Sequence, residues 1–341
     1  MAAHRKKDSQ KNYNIDNIFH TILISARKLI PKNSKIVLGF SGGPDSVFLF
    51  YVLNVLLQEQ YISELIAAHL DHQWRPDSSK DLLFCKKVAS NFKVYFEHAT
   101  LQEIMYEKKW HGSQEEYGRK ARRLFLQQVR QTYNANLIAL AHHQDDQIET
   151  FIIRLIRGAS LSGLCAMEKT KGYYIRPLLD INKAYILHYL QAKNISYLND
   201  PSNQSFNHLR NRIRHNIIPA FELTDPRYAK NILHTIKRLQ QADHYLSEET
   251  KNLFESLSNK KNDSINISLI LLLSQPVFLQ YRLLSYWFIL EKVIFTPSES
   301  FFAEIIRLLS SSKKETVRTF PGWELHKKEN IAYIIKKVIE Q

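Results

Sequence analysis

The segment KIVLGFSGGPDS, residues 35–46, decides the fold class of this chain. Its first half, residues 35–40, is a short apolar run typical of a buried strand, and the apolar residues 47–58 predict a helix. Between them, Gly42 and Gly43 allow a tight turn and a close approach of a ligand to the backbone. A strand, a glycine loop and a helix in this order point free N–H groups at a ligand, which is an arrangement that binds phosphate oxygens.

Polar side chains of the same loop extend the prediction of a phosphate site. Ser41 and Ser46 supply hydroxyl donors, whereas Asp45 would repel a bare phosphate. The carboxylate therefore predicts a bridging cation such as Mg²⁺. The alternative is an ordinary glycine-rich turn between a strand and a helix. The loop lacks the lysine of the GxxxxGK[ST] pattern, so transfer of a γ-phosphate is not indicated.

Strand and helix patterns alternate through the first part of the chain. Further strands are predicted at residues 64–71, 94–99 and 136–141, and further helices at residues 78–91, 113–133 and 144–157. This alternation predicts an α/β fold with a doubly wound parallel sheet, in which ligands bind at the carboxyl ends of the strands. Asp77 and Ser113 are predicted to cap helix N-termini, and Gly158 is predicted to end a helix.

The later part of the chain predicts a smaller, mainly helical C-terminal domain. Helices are predicted at residues 183–193, 210–218, 231–257, 276–293 and 298–309, with the second ending before Pro219, and a β-like tail at residues 315–337. The predicted organisation is a lead-in and helix (1–30), an α/β domain (31–217), a linker (218–235) and a smaller C-terminal domain (236–341).

The composition predicts sizeable cores and favours a polyanionic partner. Of the 341 residues 44% are hydrophobic, and the formal net charge is +14, with most of the basic excess before residue 216. A basic surface favours RNA or DNA, although many basic proteins bind no nucleic acid.

The sequence shows neither a membrane pattern nor a disulfide pattern. Apolar runs such as residues 269–273 are far shorter than the ~20 residues of a membrane span. Cys85 and Cys165 form no CxxC pair, and both are predicted to be small buried side chains. Residues 1–12 have no apolar stretch of the signal-peptide type and are predicted to be disordered. Together these features predict a soluble cytoplasmic protein without membrane contact.

Two further polar clusters follow predicted strands. In HLDHQWR, residues 69–75, His69 and Asp71 lie on one face of the strand, which allows a metal site or a polar cap on the sheet. In AHHQDDQIETF, residues 141–151, Asp146 and Glu149 share a helix face. Acidic residues in a first helical turn are also ordinary partners of the helix dipole. The neighbouring histidines favour a functional site over that alternative.

Taken together, the ordered motifs resemble the tRNA(Ile)-lysidine synthase family. The matching segments are SGGPDS (41–46), HLDHQWR (69–75), GRKARR (118–123), AHHQDDQIETF (141–151), IRGASLSGL (156–164), RPLL (176–179) and the run from DPSN to RNRIR (200–214). The SGGxDS loop alone marks only the wider superfamily of N-type ATP pyrophosphatases, whereas the ordered set is specific.

The resemblance implies a two-step ligation on RNA. ATP would adenylate the C2 oxygen of the wobble cytidine in a tRNA(Ile) with a CAU anticodon, releasing pyrophosphate. Free L-lysine would then displace AMP, which changes the codon read from AUG to AUA. ATP and Mg²⁺ are the implied cofactors. The oligomeric state stays open, and a homodimer is compatible with the resemblance.

The resemblance also implies roles for individual residues. The implied ATP-binding residues are Ser41, Gly42, Gly43, Pro44, Asp45, Ser46, His69 and His142. The implied catalytic residues are Asp45, Arg122, Asp146 and Glu149, with Asp45 and Asp146 holding Mg²⁺. The implied tRNA-binding residues are Arg157, Arg210, Arg212 and Arg214. The resemblance also implies that residues 31–217 are the catalytic domain and that residues 236–341 are a tRNA- or substrate-binding domain.

The basic residues also have simpler, structural interpretations. Arg119 and Arg122 would otherwise form a solvated helix face, and Arg157 would be a charge at a helix C-terminus. The run 208–215 contains no acid, and alternate residues on a helix do not share a face. This run therefore predicts a broad contact with a phosphate backbone, or else a structural linker helix.

Competing functions remain open from the sequence alone. A cytidine 2-thiolating enzyme would share the loop and the RNA partner, but Cys85 and Cys165 lie outside all three motifs. A non-catalytic RNA-binding protein with a relic nucleotide fold is the other alternative, and the intact Asp45, Asp146 and Glu149 argue against it.

Overall fold

The structure, a computed structural model, describes residues 15–74, 77–105, 113–199, 209–261, 264–293 and 298–337. The chain divides into two units, residues 1–237 and 238–341, and the boundary falls inside one long helix, Tyr228–Leu257. A six-stranded sheet belongs to the first unit, and a five-stranded sheet belongs to the second.

The first unit alternates strands with helices. In chain order its elements are α1 (Ile15–Leu29), β1 (Lys35–Gly39), α2 (Pro44–Gln58), β2 (Glu64–Asp71), α3 (Ser78–Asn91), β3 (Tyr95–Thr100), α4 (Leu101–Ile104), α5 (Gln114–Thr132), β4 (Leu137–Ala139), α6 (Gln144–Ile156), α7 (Leu161–Leu164), β5 (Thr170–Lys171), β6 (Tyr174–Ile175), α8 (Lys183–Ala192), α9 (Leu209–Arg212), a π-helical turn (Ile213–Ile217), α10 (Ile218–Thr224) and the start of α11 (Tyr228–Leu257).

The sheet of the first unit is mostly parallel and is covered on both faces. Its strand order is β3-β2-β1-β4-β6-β5, and β1 pairs in parallel with both β2 and β4. Because side chains alternate along a strand, Ile36 and Leu38 enter one core while Val37 enters the other. Burial on both faces explains the continuous apolar run of β1. The predicted doubly wound α/β fold is confirmed.

The order of the strands locates the place where a ligand fits best. From β1 the chain moves outward through β2 and β3, and it then returns to the opposite side of β1 as β4. The carboxyl ends of β1 and β4 therefore flank a topological switch point, where open α/β sheets bind ligands. The loop after β1 carries residues 41–46, and the segment after β4 carries residues 141–146.

The three predicted helix ends lie at the expected residues. Ser113 Oγ accepts a hydrogen bond from the Glu116 N–H at 3.2 Å, and Gly158 has a φ of +68° just beyond α6. Asp77 is the N-cap residue of α3, but its side chain makes no cap hydrogen bond. Its φ of −89° and ψ of 8° differ from the extended geometry that a capping side chain requires. Its carboxylate instead lies 3.1 Å from Lys80 Nζ.

The predicted end of a helix before Pro219 is wrong. The chain stays helical through α9, the π-helical turn and α10, and Pro219 stands within the first two positions of α10. Proline is tolerated in a first helical turn because its missing N–H would have no intrahelical partner there. The wider π-helical turn makes this possible, because it changes the hydrogen-bond register just before the proline. Residues 218–235, the predicted linker, thus include α10 and the start of α11.

The second unit combines helices with an antiparallel sheet. After the end of α11 its elements are β7 (Ser258–Lys261), β8 (Ser264–Ser268), α12 (Leu269–Leu273), α13 (Val277–Leu290), α14 (Glu299–Leu309), β9 (Glu315–Phe320), β10 (Trp323–Lys328) and β11 (Ile331–Lys336). The sheet order is β7-β8-β11-β10-β9, and its core includes Trp287, Phe288 and Leu325. The sequence predicted a β-like tail but not the hairpin of β7 and β8. Within the described ranges, no helix is long and apolar enough to cross a membrane.

Candidate functional site

The loop between β1 and α2 has the backbone geometry of a phosphate cradle. Gly42 has a φ of +78°, Gly43 is the N-cap of α2, and Pro44 begins the helix. Ser46 Oγ donates to the Gly43 carbonyl at 3.0 Å and lies 3.1 Å from Ser41 Oγ. These bonds hold the two hydroxyls beside the helix N-terminus, where the first N–H groups have no intrahelical partner. The loop therefore offers backbone and hydroxyl donors to an anion.

Gly42 is required for a second reason, which is the close packing behind the loop. A Cβ at this position would lie 2.6 Å from Leu198 Cδ1 and 2.9 Å from Cys85 Sγ. The Leu198 N–H also donates to the Gly42 carbonyl at 2.9 Å. The segment before residue 200 thus fixes the phosphate loop from behind.

One histidine brings together the two carboxylates predicted to hold Mg²⁺. His143, the residue before α6, is only 5% exposed. Its Nε2 lies 3.7 Å from Asp45 Oδ1 and 3.5 Å from Asp146 Oδ2, and its backbone N–H donates to Asp146 Oδ2 at 3.0 Å. The loops after β1 and β4 therefore converge at the switch point. Burial acts to raise the pKa of Asp146, but the charges of His143, His142 and Arg210 outweigh it and lower that pKa, which favours the carboxylate form.

The sequence reasoning missed Lys183, which contacts the phosphate loop. Lys183 is the first residue of α8, and its Nζ donates to Asp45 Oδ1. A cation in the first turn of a helix is disfavoured by the helix dipole, and this helix has no acid in its first turn. That mismatch was the signal for a nearby anion, but the sequence did not indicate which carboxylate is the partner.

Glu149, on the buried side of α6, is enclosed by two arginines. It is 1% exposed, and its Oε1 accepts from Arg214 Nε at 2.7 Å while its Oε2 accepts from Arg214 Nη2 at 3.0 Å. Arg210 Nε lies 3.2 Å from Oε2, and Arg210 Nη2 donates to Thr150 Oγ1 at 3.0 Å. A buried carboxylate needs such partners, because an unpaired buried charge is costly.

This pairing corrects the predicted geometry of the basic run. The sequence analysis treated residues 210–214 as a broad cluster, but Arg210 and Arg214 are four residues apart and converge on Glu149. Arg212 is exposed, as is Arg157, the C-cap residue of α6. Arg75, residues 200–208 and the predicted lead-in at residues 1–12 lie outside the described residues.

The end of β2 supports the loop, and among the residues that the structure describes it carries no cluster of metal-binding side chains. His69 Nδ1 lies 2.9 Å from the Phe40 carbonyl, which can only accept, and burial lowers the pKa of this histidine. Asp71 accepts from the Gln73 N–H at 2.8 Å and from Ser78 Oγ at 3.2 Å, so it caps the strand end. Burial lowers the pKa of His142 to about 4, against the opposing charge of Asp146. His142 is therefore a neutral imidazole near pH 7.

The comparisons with known proteins agree with this geometry. Residues 8–221, more than half of the chain, match the PP-loop domain family. A tRNA(Ile)-lysidine synthase from Petrotoga mobilis is 33% identical over 242 residues, which cover 71% of this chain and 76% of that protein. This chain belongs to the PP-loop family of tRNA(Ile)-lysidine synthases.

Other relatives agree in sequence or in fold. A tRNA(Ile)-lysidine synthase from Bacillus thuringiensis is 32% identical over 261 residues, which cover 74% of this chain. The aligned region spans 54% of that protein, so the chain matches about half the length of such relatives. The U34-tRNA thiolase NcsA from Methanococcus maripaludis has a TM-score of 0.57 at 19% identity, covering 67% of this chain and 80% of that chain, which shows a shared fold.

Within this PP-loop fold, Arg122 contacts a histidine at the end of β2. Its Nη2 lies 2.9 Å from Nε2 of His72. Burial and the charge of Arg122 lower the pKa of His72 to about 4. Arginine can only donate, so Nε2 accepts and the imidazole is neutral. The resemblance implied a catalytic role for Arg122, and in this structure its guanidinium contacts a side chain of the protein.

His72 predicts a loss of stability in mild acid. Its pKa is about 4 in the folded protein against an ordinary 6.5, so the unfolded chain binds the proton first as pH falls. The free energy of unfolding should therefore decrease between those two pH values. The free energy of unfolding can be measured by urea unfolding near pH 7 and near pH 5. Between these two pH values it should fall about 1–2 kcal/mol less for His72→Gln than for the wild type. The exposed His234→Gln is the control, and an equal loss in all three proteins would contradict the assignment.

Proposed function

We propose that this chain is an ATP-dependent ligase that joins lysine to C2 of the wobble cytidine in a tRNA(Ile) with a CAU anticodon. The observation that carries the proposal is the meeting of Asp45 and Asp146 at His143, at the switch point of a PP-loop sheet. The names of the similar relatives supply the acceptor and the nucleophile. Because the chain matches about half the length of some relatives, the complete activity belongs to the proposal.

The first step would form an adenylated cytidine. The C2 oxygen attacks the α-phosphorus of ATP, the bond to the β-phosphate oxygen breaks, and pyrophosphate leaves. The loop N–H groups with Ser41 and Ser46 would hold the departing phosphates, so the donors face the place where charge develops. His69 fixes the start of this loop, and the neutral His142 would contribute a nearby donor.

Asp45 and Asp146 fit a magnesium ion and would hold it beside the phosphate loop. Mg²⁺ in nucleotide sites binds one or two carboxylates together with phosphate oxygens and water, and these two carboxylates share one neighbour. When bound there, the ion would supply charge neutralisation to the phosphates. Lys183 already pairs with Asp45, so we infer that it moves to the phosphates when the metal–nucleotide complex enters.

The second step needs counter-charge for lysine and an acceptor for a proton. The ε-amine attacks C2, the bond from C2 to the adenylated oxygen breaks, and AMP leaves with that oxygen. Asp146 is held as a carboxylate and would accept the proton. Glu149 would face the α-amine, which requires it to release part of its contact with Arg210 and Arg214. Arg122 would then pair with the carboxylate of lysine or with phosphate.

The RNA would bind the basic surface around this site. Arg157 and Arg212 are exposed and suit phosphate contacts, whereas Arg210 and Arg214 position Glu149 before the RNA arrives. The predicted RNA-binding role of residues 236–341 and a homodimer are further parts of the proposal.

Cysteine chemistry favours lysine ligation over thiolation. Cys85 and Cys165 are both buried, and neither is in a disulfide. Burial raises the pKa of the Cys85 thiol to about 12, so this thiol stays protonated and is a poor sulfur carrier. Cys165 Sγ donates to the Leu161 carbonyl at 3.3 Å within its own turn.

The proposed first step can be tested without lysine. Labelled pyrophosphate should enter ATP only when the chain, Mg²⁺ and the CAU-anticodon tRNA are all present, because adenylation of the RNA is reversible. A tRNA with uridine at the wobble position should not support this exchange. Exchange that is independent of RNA would contradict an RNA acceptor.

A further inference from the structure

An exposed tryptophan lies at the same sheet edge as the phosphate loop and has no role in the steps above. Trp74 follows β2 and is 44% exposed. Its ring stacks on His72, with centroids 4.5 Å apart and planes 24° from parallel. Single exposed apolar side chains are common and need no function. Trp74 differs from them because its ring is fixed in position by its contacts.

The backbone of α5 is shaped to seat this ring. A Cβ on Gly118 would lie 2.6 Å from Trp74 Cη2, 2.8 Å from Cζ2 and 3.1 Å from His72 Cε1. Glycine weakens a helix interior relative to alanine, so its presence here serves the close approach of these two rings. Arg122 holds His72 from the other side through Nε2 at 2.9 Å. The indole is thus held in place by helix and imidazole while much of its surface stays open.

The surroundings of Trp74 favour RNA as the ligand. The same turns of α5 expose Arg119 and Arg122, which are three residues apart and share a helix face. An exposed aromatic ring near cations is an arrangement by which proteins bind single-stranded nucleic acids, with bases on the ring and phosphates on the cations. Arg122 contacts His72, and the triphosphate of ATP has its donors in the phosphate loop, so Arg119 suits the phosphates of a longer polyanion.

We propose that Trp74, seated on Gly118 and stacked on His72, is a platform for an unpaired base of the RNA acceptor. The inference rests on the proposed function, since it assumes that RNA enters this edge of the sheet. The platform would hold a base of the anticodon loop beside the reacting cytidine, with Arg119 on a neighbouring phosphate. Trp74 is therefore a positioning residue, not a catalytic one.

Binding of the full chain to RNA tests the platform directly. The probes are a fluorescent anticodon stem-loop of the CAU-anticodon tRNA(Ile) and a blunt duplex of equal length. Trp74→Ala should weaken binding of the stem-loop about 10-fold, while Trp74→Phe keeps most of it. Duplex binding and the KM for ATP should change little. Tyr95→Ala, which removes another exposed aromatic ring, is the matched control.

A second variant separates stacking from stability. Gly118→Ala should leave the Tm equal or higher because alanine favours helices, yet it should weaken stem-loop binding because its Cβ displaces the ring. Stem-loop binding by Trp74→Ala equal to that by Tyr95→Ala would overturn the platform. If Trp74→Ala raised the KM for ATP, or weakened duplex binding as much as stem-loop binding, the platform would also be overturned.

The platform and the proposed function can fail separately. RNA binding that depends on Trp74, without any ligation of lysine, would overturn the proposed function and leave the platform standing. Ligation that is unchanged in Trp74→Ala at limiting RNA would overturn the platform alone.

Discussion

Replacing Asp45 with asparagine is expected to reduce RNA-dependent formation of AMP by about 100-fold or more, because the metal-bridged phosphates lose a carboxylate ligand. The fold should survive, since Asp45 is partly exposed and its partners Lys183 and His143 lie at the site itself. AMP release from labelled ATP, measured with saturating RNA, gives the rate.

The matched control for this loss is Asp225→Asn. Asp225 also pairs with a cation, since it lies 3.0 Å from Arg227 Nε, but that pair is on an exposed helix end. Its removal should leave the rate within about 2-fold of the wild type, as expected for a surface ion pair. An AMP rate for Asp45→Asn equal to that of this control would refute the metal-binding role.

Replacing Glu149 with glutamine is expected to impair the use of lysine more than the use of ATP. The variant loses its ionic contacts with Arg214 and Arg210 and the counter-charge proposed for the lysine α-amine. The KM for lysine should rise about 10-fold or more, since a charged hydrogen-bond partner is lost. RNA-dependent exchange of pyrophosphate into ATP should fall less.

The same variant should also be less stable, which gives a second readout. Removing one partner of a buried ion pair costs about 3–5 kcal/mol, but both arginines here keep about a third of their side-chain surface in water. We therefore expect a loss of about 2 kcal/mol in the free energy of unfolding. The exposed Glu222→Gln serves as control. A wild-type KM for lysine in Glu149→Gln would contradict its proposed role, whatever happens to stability.

Local patterns were sufficient to predict the parallel core of the sheet in the first unit. The apolar run of β1, the loop at residues 41–46 and the next helix lie within one continuous segment, so short-range rules apply to them. The parallel sheet follows because alternating strands and helices leave few other arrangements. The meeting of Asp45 and Asp146 also follows, since each comes directly after a strand that borders the switch point.

The long-range ion pairs in the site could not be predicted from the sequence. Lys183 reaches Asp45 from a helix 138 residues away along the chain. Arg214, which lies within a π-helical turn, reaches Glu149 across 65 residues. A π-helical turn has no simple sequence signature. Pro219 suggested a helix end, but the changed hydrogen-bond register lets the helix continue past it.

The hairpin of β7 and β8 was missed for a local reason. Ser258–Lys261 reads SNKK, which has no apolar alternation and poor strand propensity. Its partner, Ser264–Ser268, is short and reads SINIS. Pairing with β11 and burial of Ile267 stabilise this edge of the sheet, and neither is visible from the segment alone.

The most direct test of the account is incorporation of labelled lysine into a tRNA(Ile) transcript with a CAU anticodon, with ATP present or withheld. The account predicts labelling that requires ATP and that is lost when the wobble cytidine is changed to uridine. RNA-dependent AMP release without any labelled RNA would contradict lysine ligation. It would indicate that the same PP-loop chemistry uses another nucleophile.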